Sequence, residues 1–174
     1  LGAFESTFNQ TARRMLADKL GWDAIALPDD EILLVELLGL LQETETDMPL
    51  FFRGLADVPT GETVDDAVLI VPIANAFYDQ ASMAGAPREH LLNWLRQHCQ
   101  RVRRDGVPDA TRRAKMNLVN PKYVLRNYLA QQAIDGLAGG DASVLNRLMR
   151  VLQQPYDDLP EHNDLAARRP EDRK

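Results

Sequence analysis

Apolar residues recur every three or four positions through most of this chain, and that spacing constrains its fold more than any other feature. The residues Leu91, Leu92, Leu95, Cys99 and Val102 are an example. With 3.6 residues per turn, an α-helix places them all on one face. Glycine, proline and acidic residues stand at the ends of such segments, where helices begin and end. The pattern predicts an all-α fold, an irregular multi-helix bundle.

These end signals delimit seven helical segments. They are a first helix stopped at Gly21, a helix from Pro28 to Leu41, one opening at Asp47-Met48-Pro49, one from Gly85-Ala86-Pro87 to Asp105, a short one from Asp109 to Met116, one capped by Asn120-Pro121 and running to Leu137, and one from Asp141 to Leu152. Asparagine at an N-cap followed by proline at the first helical position is a strong start signal.

Two regions are less regular. In the segment from Val64 to Met83, Val68–Val71 could form a short strand, but Pro72 argues against a central strand and favours helix on both sides. Residues 156–174 are charged and interrupted by proline, so they bury too little apolar area to offset the entropy of ordering them. We therefore expect a helical domain over residues 1–155 and a disordered or extended tail over residues 156–174.

Charge and composition exclude several classes of protein. The net charge of −6 disfavours a protein that coats nucleic acid, which needs a basic surface. The single cysteine, Cys99, cannot form an intrachain disulfide, and no apolar run is long enough to span a bilayer. We expect a cytoplasmic protein without membrane or nucleic-acid partners. The chain starts at Leu1 without methionine, which favours a fragment or a processed chain.

The sequence shows no pattern typical of catalytic, cofactor-binding or metal-binding residues. The chain contains no GxxxxGK[ST] or GxGxxG phosphate loop and no kinase-type HRD or DFG motif. His90, His98 and His162 are not spaced as metal ligands are. Cys99 lies on the apolar face of its predicted helix, which favours a small buried side chain over a nucleophile.

Two sets of polar residues remain as candidate sites. Arg112, Arg113 and Lys115 could form a basic docking face for a phosphate or an acidic partner, or simply a solvated helix surface. The second set is Asn120, Pro121, Tyr123, Arg126 and Asn127. We favour a structural polar network for this second set, which would hold its helix to neighbouring helices or to the following loop, for example through Asp157 or Asp158, over direct contact with a substrate.

The second set belongs to a longer string that resembles a known family. The residues from Met116 to Asn127, followed by Ala130-Gln131-Gln132-Ala133-Ile134, are similar to the C-terminal region of the selenoprotein O (SelO, YdiU-type) family. The similarity continues through Pro155-Tyr156-Asp157 and Glu161-His162, and it is weaker upstream at Lys19-Leu20-Gly21, Phe52-Arg53-Gly54-Leu55 and Trp94.

The resemblance implies a parent with a kinase-like, pseudokinase fold that transfers AMP from ATP to Ser, Thr or Tyr hydroxyls of proteins, with magnesium. The family's ATP- and metal-binding residues lie upstream of the region that this chain resembles. The resemblance thus implies a non-catalytic helical C-terminal domain that packs on the kinase-like domain of the same protein. Members of the family often end in a cysteine- or selenocysteine-containing tail, and the 174 residues of this sequence, which close with Arg173-Lys174, do not include one.

Two other functions stay open. A stand-alone helical protein-protein interaction domain would have a self-contained core and a groove for a peptide helix. An enzyme with its own site would need a cleft where Arg126 or the Arg112-Arg113 pair meets a carboxylate of perturbed pKa.

Overall fold

The computed structural model describes residues 2–79 and 84–170, with the side chains of α1 described from Ser6 onward. Within these ranges the chain forms helices and no strand, so the all-α prediction is confirmed. The elements are α1 (Gly2–Leu20), α2 (Pro28–Glu43), α3 (Met48–Leu55), α4 (Asp66–Ala74), α5 (Ala86–Arg104), α6 (Asp109–Asn117), α7 (Asn127–Ala138), α8 (Ser143–Gln153) and a 3-10 helix (Pro160–Ala166).

The chain divides into two compact units, Leu1–Asn120 and Pro121–Lys174, and each has its own apolar core. In the first unit α2 packs on α5 and α3 packs on α4, around Phe51, Leu55, Trp94 and Leu95. In the second unit α7 packs on α8, and the 3-10 helix also contacts α8.

The end of α1 shows why glycine is required at position 21. Gly21 has a φ of +71°, which favours glycine, and a Cβ there would lie 2.6 Å from Met116 Sδ. The Trp22 N–H donates to Ala17 O over 2.9 Å and closes the helix end. This glycine therefore brings Trp22 into the core and lets α6 approach α1.

The predicted starts of α3 and α5 are confirmed, and the open segment around Pro72 is helical. The Asp47 carboxylate accepts from Leu50 N over 3.2 Å at the start of α3. Val68–Val71 lie inside α4, so the strand alternative is wrong, although the helix continues only two residues beyond Pro72. Residues 80–83, the end of the predicted segment, lie outside the described residues.

The helix predicted to start at Asn120-Pro121 starts instead at Asn127. The Asn120 amide does not cap a helix, because its Nδ2 donates to Lys19 O over 3.0 Å. The N–H groups of Lys122 and Tyr123 both donate to Pro155 O, over 2.7 and 3.1 Å. These contacts with a residue distant in sequence hold the segment after Pro121 out of the helical conformation, so tertiary contacts override a good local start signal.

The prediction of a disordered or extended tail is wrong over Pro160–Ala166. This segment forms the 3-10 helix and buries Leu165 and Ala166 in the core of the second unit. The Tyr123 hydroxyl donates to Leu159 O over 2.8 Å and accepts from Leu159 N over 3.2 Å. A few apolar residues and one tyrosine thus order a segment whose average composition is polar. Residues 171–174 lie outside the described residues.

Candidate docking surface and buried polar network

A buried histidine lies at the centre of the first unit. His98 stacks on Trp94, with ring centroids 5.0 Å apart and planes 14° apart, and its Nδ1 accepts from Trp22 Nε1 over 3.1 Å. The proton of the neutral ring is therefore on Nε2, which is buried and has no hydrogen-bond partner among the described residues. Burial, together with the positive charges of Arg112 and Arg101, lowers the pKa of His98 to about 3.

A buried ion pair lies beside this histidine. Arg101 Nε donates to Asp30 Oδ1 over 2.5 Å and Nη1 donates to Asp105 Oδ1 over 2.7 Å, while the guanidinium lies over the Trp22 ring at 5.5 Å. Burial alone would raise the pKa of Asp30. Hydrogen bonds from Arg101 and from the N–H groups of Leu27 and Ala26 outweigh it, so the pKa lies below its usual value.

Sequence reasoning missed this network. Neither Arg101 nor Asp30 stands out in the sequence as a core residue. Both are buried. No local signal pairs a residue of α2 with one of α5, because their separation of 71 positions is closed only by the packing of the two helices.

The three residues of the predicted basic face do not share one environment. Arg112 is buried, and its guanidinium donates to Val58 O over 2.7 Å and to Leu55 O over 3.3 Å. Arg112 thus satisfies carbonyls at and beyond the C-terminal end of α3, where a cation is favourable. Arg113 is exposed and paired with Asp57 at 2.5 Å, and Lys115 is exposed. Arg112 is not part of an exposed face; docking through Arg113 and Lys115 stays a prediction.

The asparagine–tyrosine–arginine motif is divided between the two units. Asn120 is buried in the first unit, where its Oδ1 accepts from Lys19 Nζ over 3.3 Å and its backbone oxygen accepts from Arg53 Nη1 over 3.0 Å. Pro121 is the first residue of the second unit. The motif's asparagine is therefore a hydrogen-bonded structural residue of the first unit.

In the second unit Tyr123 is buried and bonded to Leu159, Arg126 is the N-cap residue of α7, and Asn127 begins that helix. Lys122 pairs with Asp158. A substrate contact by this motif stays a prediction.

An apolar stripe on α2 is the candidate docking surface. Ile32, Val35 and Leu38 follow one another at three-residue spacing and are 57%, 68% and 43% exposed. The opposite face of the same helix buries Leu33, Leu34 and Leu37 in the core. Single exposed apolar side chains are ordinary, but a continuous stripe on one helix is typical of an interaction surface.

The described residues offer no group of three His, Cys, Asp or Glu side chains that could hold a metal ion. Cys99 is buried, and burial raises the pKa of its thiol, which keeps it protonated and unreactive. No helix in the described ranges is both long enough and apolar enough to cross a membrane.

Comparison with known families identifies the chain's relatives. A family model described as protein adenylyltransferase SelO matches residues 1–153. The chain belongs to the SelO family. A protein nucleotidyltransferase YdiU of Nitrosospira multiformis is 46% identical over 98% of this chain and 34% of the relative's length. YdiU proteins of Aromatoleum aromaticum and Rhodopirellula baltica are each 40% identical over 98% of this chain and 31% and 33% of their own lengths.

The SelO-family chain therefore spans about a third of the length of the curated relatives it matches. The resemblance found in its motifs is confirmed. The rest of each relative's length is not matched by this chain.

The described side chains of this SelO-family chain do not form an ATP–magnesium site. The described residues contain no metal-ligand cluster, and the two most buried arginines are already bonded, Arg101 to carboxylates and Arg112 to carbonyl oxygens. A phosphate would have to displace these partners and leave them buried without hydrogen bonds, which is costly.

Proposed function

We propose that this chain is a non-catalytic helical domain of a SelO-type protein nucleotidyltransferase that docks on the rest of the family polypeptide. The observation that carries the proposal is the stripe of Ile32, Val35 and Leu38 on α2. It exposes apolar side chains on a helix whose opposite face is buried, and about two thirds of the length of the matched relative lies outside this chain and could cover it. Covering such side chains removes apolar area from water and stabilises the larger protein.

The activity of the whole protein follows the family resemblance. We propose that the parent transfers AMP from ATP, with magnesium, to Ser, Thr or Tyr hydroxyls of proteins in the cytosol. The kinase-like region outside this chain would supply the chemistry, and this domain would stabilise it.

A chimera tests the proposal. In the YdiU protein of Nitrosospira multiformis, this chain replaces the segment that it matches, and AMP transfer is measured with ATP labelled on its α-phosphate. We expect an active chimera and a strong loss of activity or yield for Val35→Asp, because the new charge would be buried at the interface. Gln100→Asp, which adds the same charge at an exposed polar position of α5, is the control.

The result would contradict the proposal if Val35→Asp and Gln100→Asp behaved alike. A labelled product from the 174-residue chain alone would also contradict it, because this chain would then hold a catalytic site. The second candidate is a stand-alone interaction domain, favoured by the buried core within each unit. In that case the isolated chain would bind other proteins through the stripe, and the chimera would not protect the stripe from solvent.

A further inference from the structure

A groove runs between α2 and α5 on the surface of the first unit. Its volume is about 440 Å³. Helix α2 contributes Glu36, Gly39, Leu40 and Glu43, and α5 contributes His90, Asn93, Trp94 and Gln97. We call this the α2–α5 groove. It lies beside the apolar stripe, since Glu36 and Gly39 directly follow Val35 and Leu38 in the sequence of α2.

Gly39 has no reason to be glycine within the structure of this chain. A Cβ at this position would meet nothing within 4 Å, and Gly39 is not among the glycines with positive φ. Glycine is less favourable than alanine inside a helix. Where neither packing nor backbone conformation requires it, a mid-helix glycine leaves room for close approach by another group. The open space lies in the α2–α5 groove.

The charged groups of the groove favour a cation. Glu36 and Glu43 lie three residues before and four residues after Gly39, about two helical turns apart. Glu36 makes no ion pair in the described part of the chain, and the nearest basic group to Glu43 is His90, whose Nδ1 lies 4.0 Å from the carboxylate. No lysine or arginine of the described ranges lines the groove. A guanidinium or ammonium group would be complementary to these carboxylates.

We propose that the α2–α5 groove receives an arginine or lysine side chain from the part of the SelO-family polypeptide outside this chain. The proposal rests on the docking function above and adds the chemistry of the contact. The basic head group pairs with Glu36 and Glu43, its aliphatic stem covers Leu40, and the incoming backbone passes close to α2 at Gly39. The apolar stripe supplies the affinity, and the groove fixes the register of docking.

Carboxylate footprinting tests the contact. The isolated chain and the chimera are treated with a carbodiimide and glycine ethyl ester, and modification is measured residue by residue by mass spectrometry. We expect labelling of Glu36 and Glu43 to fall roughly tenfold in the chimera, since an occupancy of nine-tenths leaves about a tenth of the molecules open. Exposed Glu62, away from the groove, is the reference and should label equally in both proteins.

Two substitutions at one position provide matched variants. Gly39→Ala adds a Cβ that meets nothing within this chain but lies where the incoming backbone passes, so the protection of Glu36 in the chimera should be partly lost. Gly39→Trp fills the groove, so Glu36 should label in the chimera as it does in the isolated chain. Circular dichroism of both variants in the 174-residue chain checks their folding.

Equal labelling of Glu36 in chimera and isolated chain would overturn the inference. If Val35→Asp still abolished AMP transfer in that case, the proposed docking function would stand without the groove contact. Protection of Glu36 that survives Gly39→Trp would also overturn it, because the protecting group would then not lie in the groove. Protection lost with Gly39→Trp but insensitive to Val35→Asp would support the groove contact and refute the stripe as the docking surface.

Discussion

The buried neutral His98 should lower the free energy of unfolding of the first unit in mild acid. In the folded chain its pKa is about 3, because burial and two nearby arginines oppose a positive charge. In the unfolded chain a histidine has a pKa of about 6.5. Between these two values the unfolded chain binds a proton that the folded chain does not bind. The contribution of neutral His98 to the free energy of unfolding is therefore fully present above about pH 6.5, and it is lost as the pH drops toward 3.

The size of this effect follows from the two pKa values. Proton binding stabilises the unfolded chain by about 2 kcal/mol at pH 5 and by only about 0.2 kcal/mol at pH 7. At pH 5 the folded form stays almost wholly unprotonated at His98 because its pKa lies about two units lower. Asp30, whose pKa is lowered, loses its stabilising charge only at more acid pH.

The substitution His98→Gln should remove this dependence on pH. A glutamine oxygen can accept the Trp22 Nε1–H, and the side chain does not titrate. Urea unfolding is followed by tryptophan fluorescence, which reports on the first unit because both tryptophans, Trp22 and Trp94, lie in it. We expect wild type to lose about 2 kcal/mol more than His98→Gln between about pH 7 and pH 5.

The exposed His90, on the same helix, provides the control. His90→Gln, which changes an exposed histidine in the same way, should keep the wild-type dependence on pH. A difference between wild type and His98→Gln below about 0.5 kcal/mol would refute the reasoning, since it would mean that His98 accepts a proton in the folded state. A uniformly lower stability of His98→Gln at every pH would not refute the reasoning, because the cost of repacking the core around glutamine does not depend on pH.

Three further predictions follow from single contacts. Arg101→Met should destabilise the first unit by about 3–5 kcal/mol in urea unfolding, because the Asp30 carboxylate would stay buried without its ion pair; full stability in the variant would show that Asp30 has another partner. Tyr123→Phe should cost about 1–3 kcal/mol and speed hydrogen exchange in the 3-10 helix, since Leu159 would lose both bonds to the hydroxyl; unchanged exchange would contradict the assigned role. Cys99 should react with a thiol reagent only when the chain unfolds, and rapid labelling of the native chain would contradict its burial.

Local chemistry and periodicity determined much of the fold. The apolar faces of α2 and α5, the start of α3 at Asp47 and the stop of α1 at Gly21 depend on residues within a few positions of each other. Capping, proline geometry and amphipathic spacing act over this range, so one sequence is enough to predict them. The family resemblance, carried by a long motif, was likewise readable from the sequence and is confirmed by the family model.

Tertiary structure decided the features that depend on distant partners. Asn120 looked like a helix cap, but its side chain bonds to Lys19, 101 positions away. Arg101 and His98 are buried because α2 and Trp22 pack against α5. A buried charge or ring nitrogen is stable only where a complementary group meets it, and the sequence pattern does not show which groups meet. The apolar stripe on α2 also depends on tertiary structure, since only the packing of the first unit shows that Ile32, Val35 and Leu38 are left exposed.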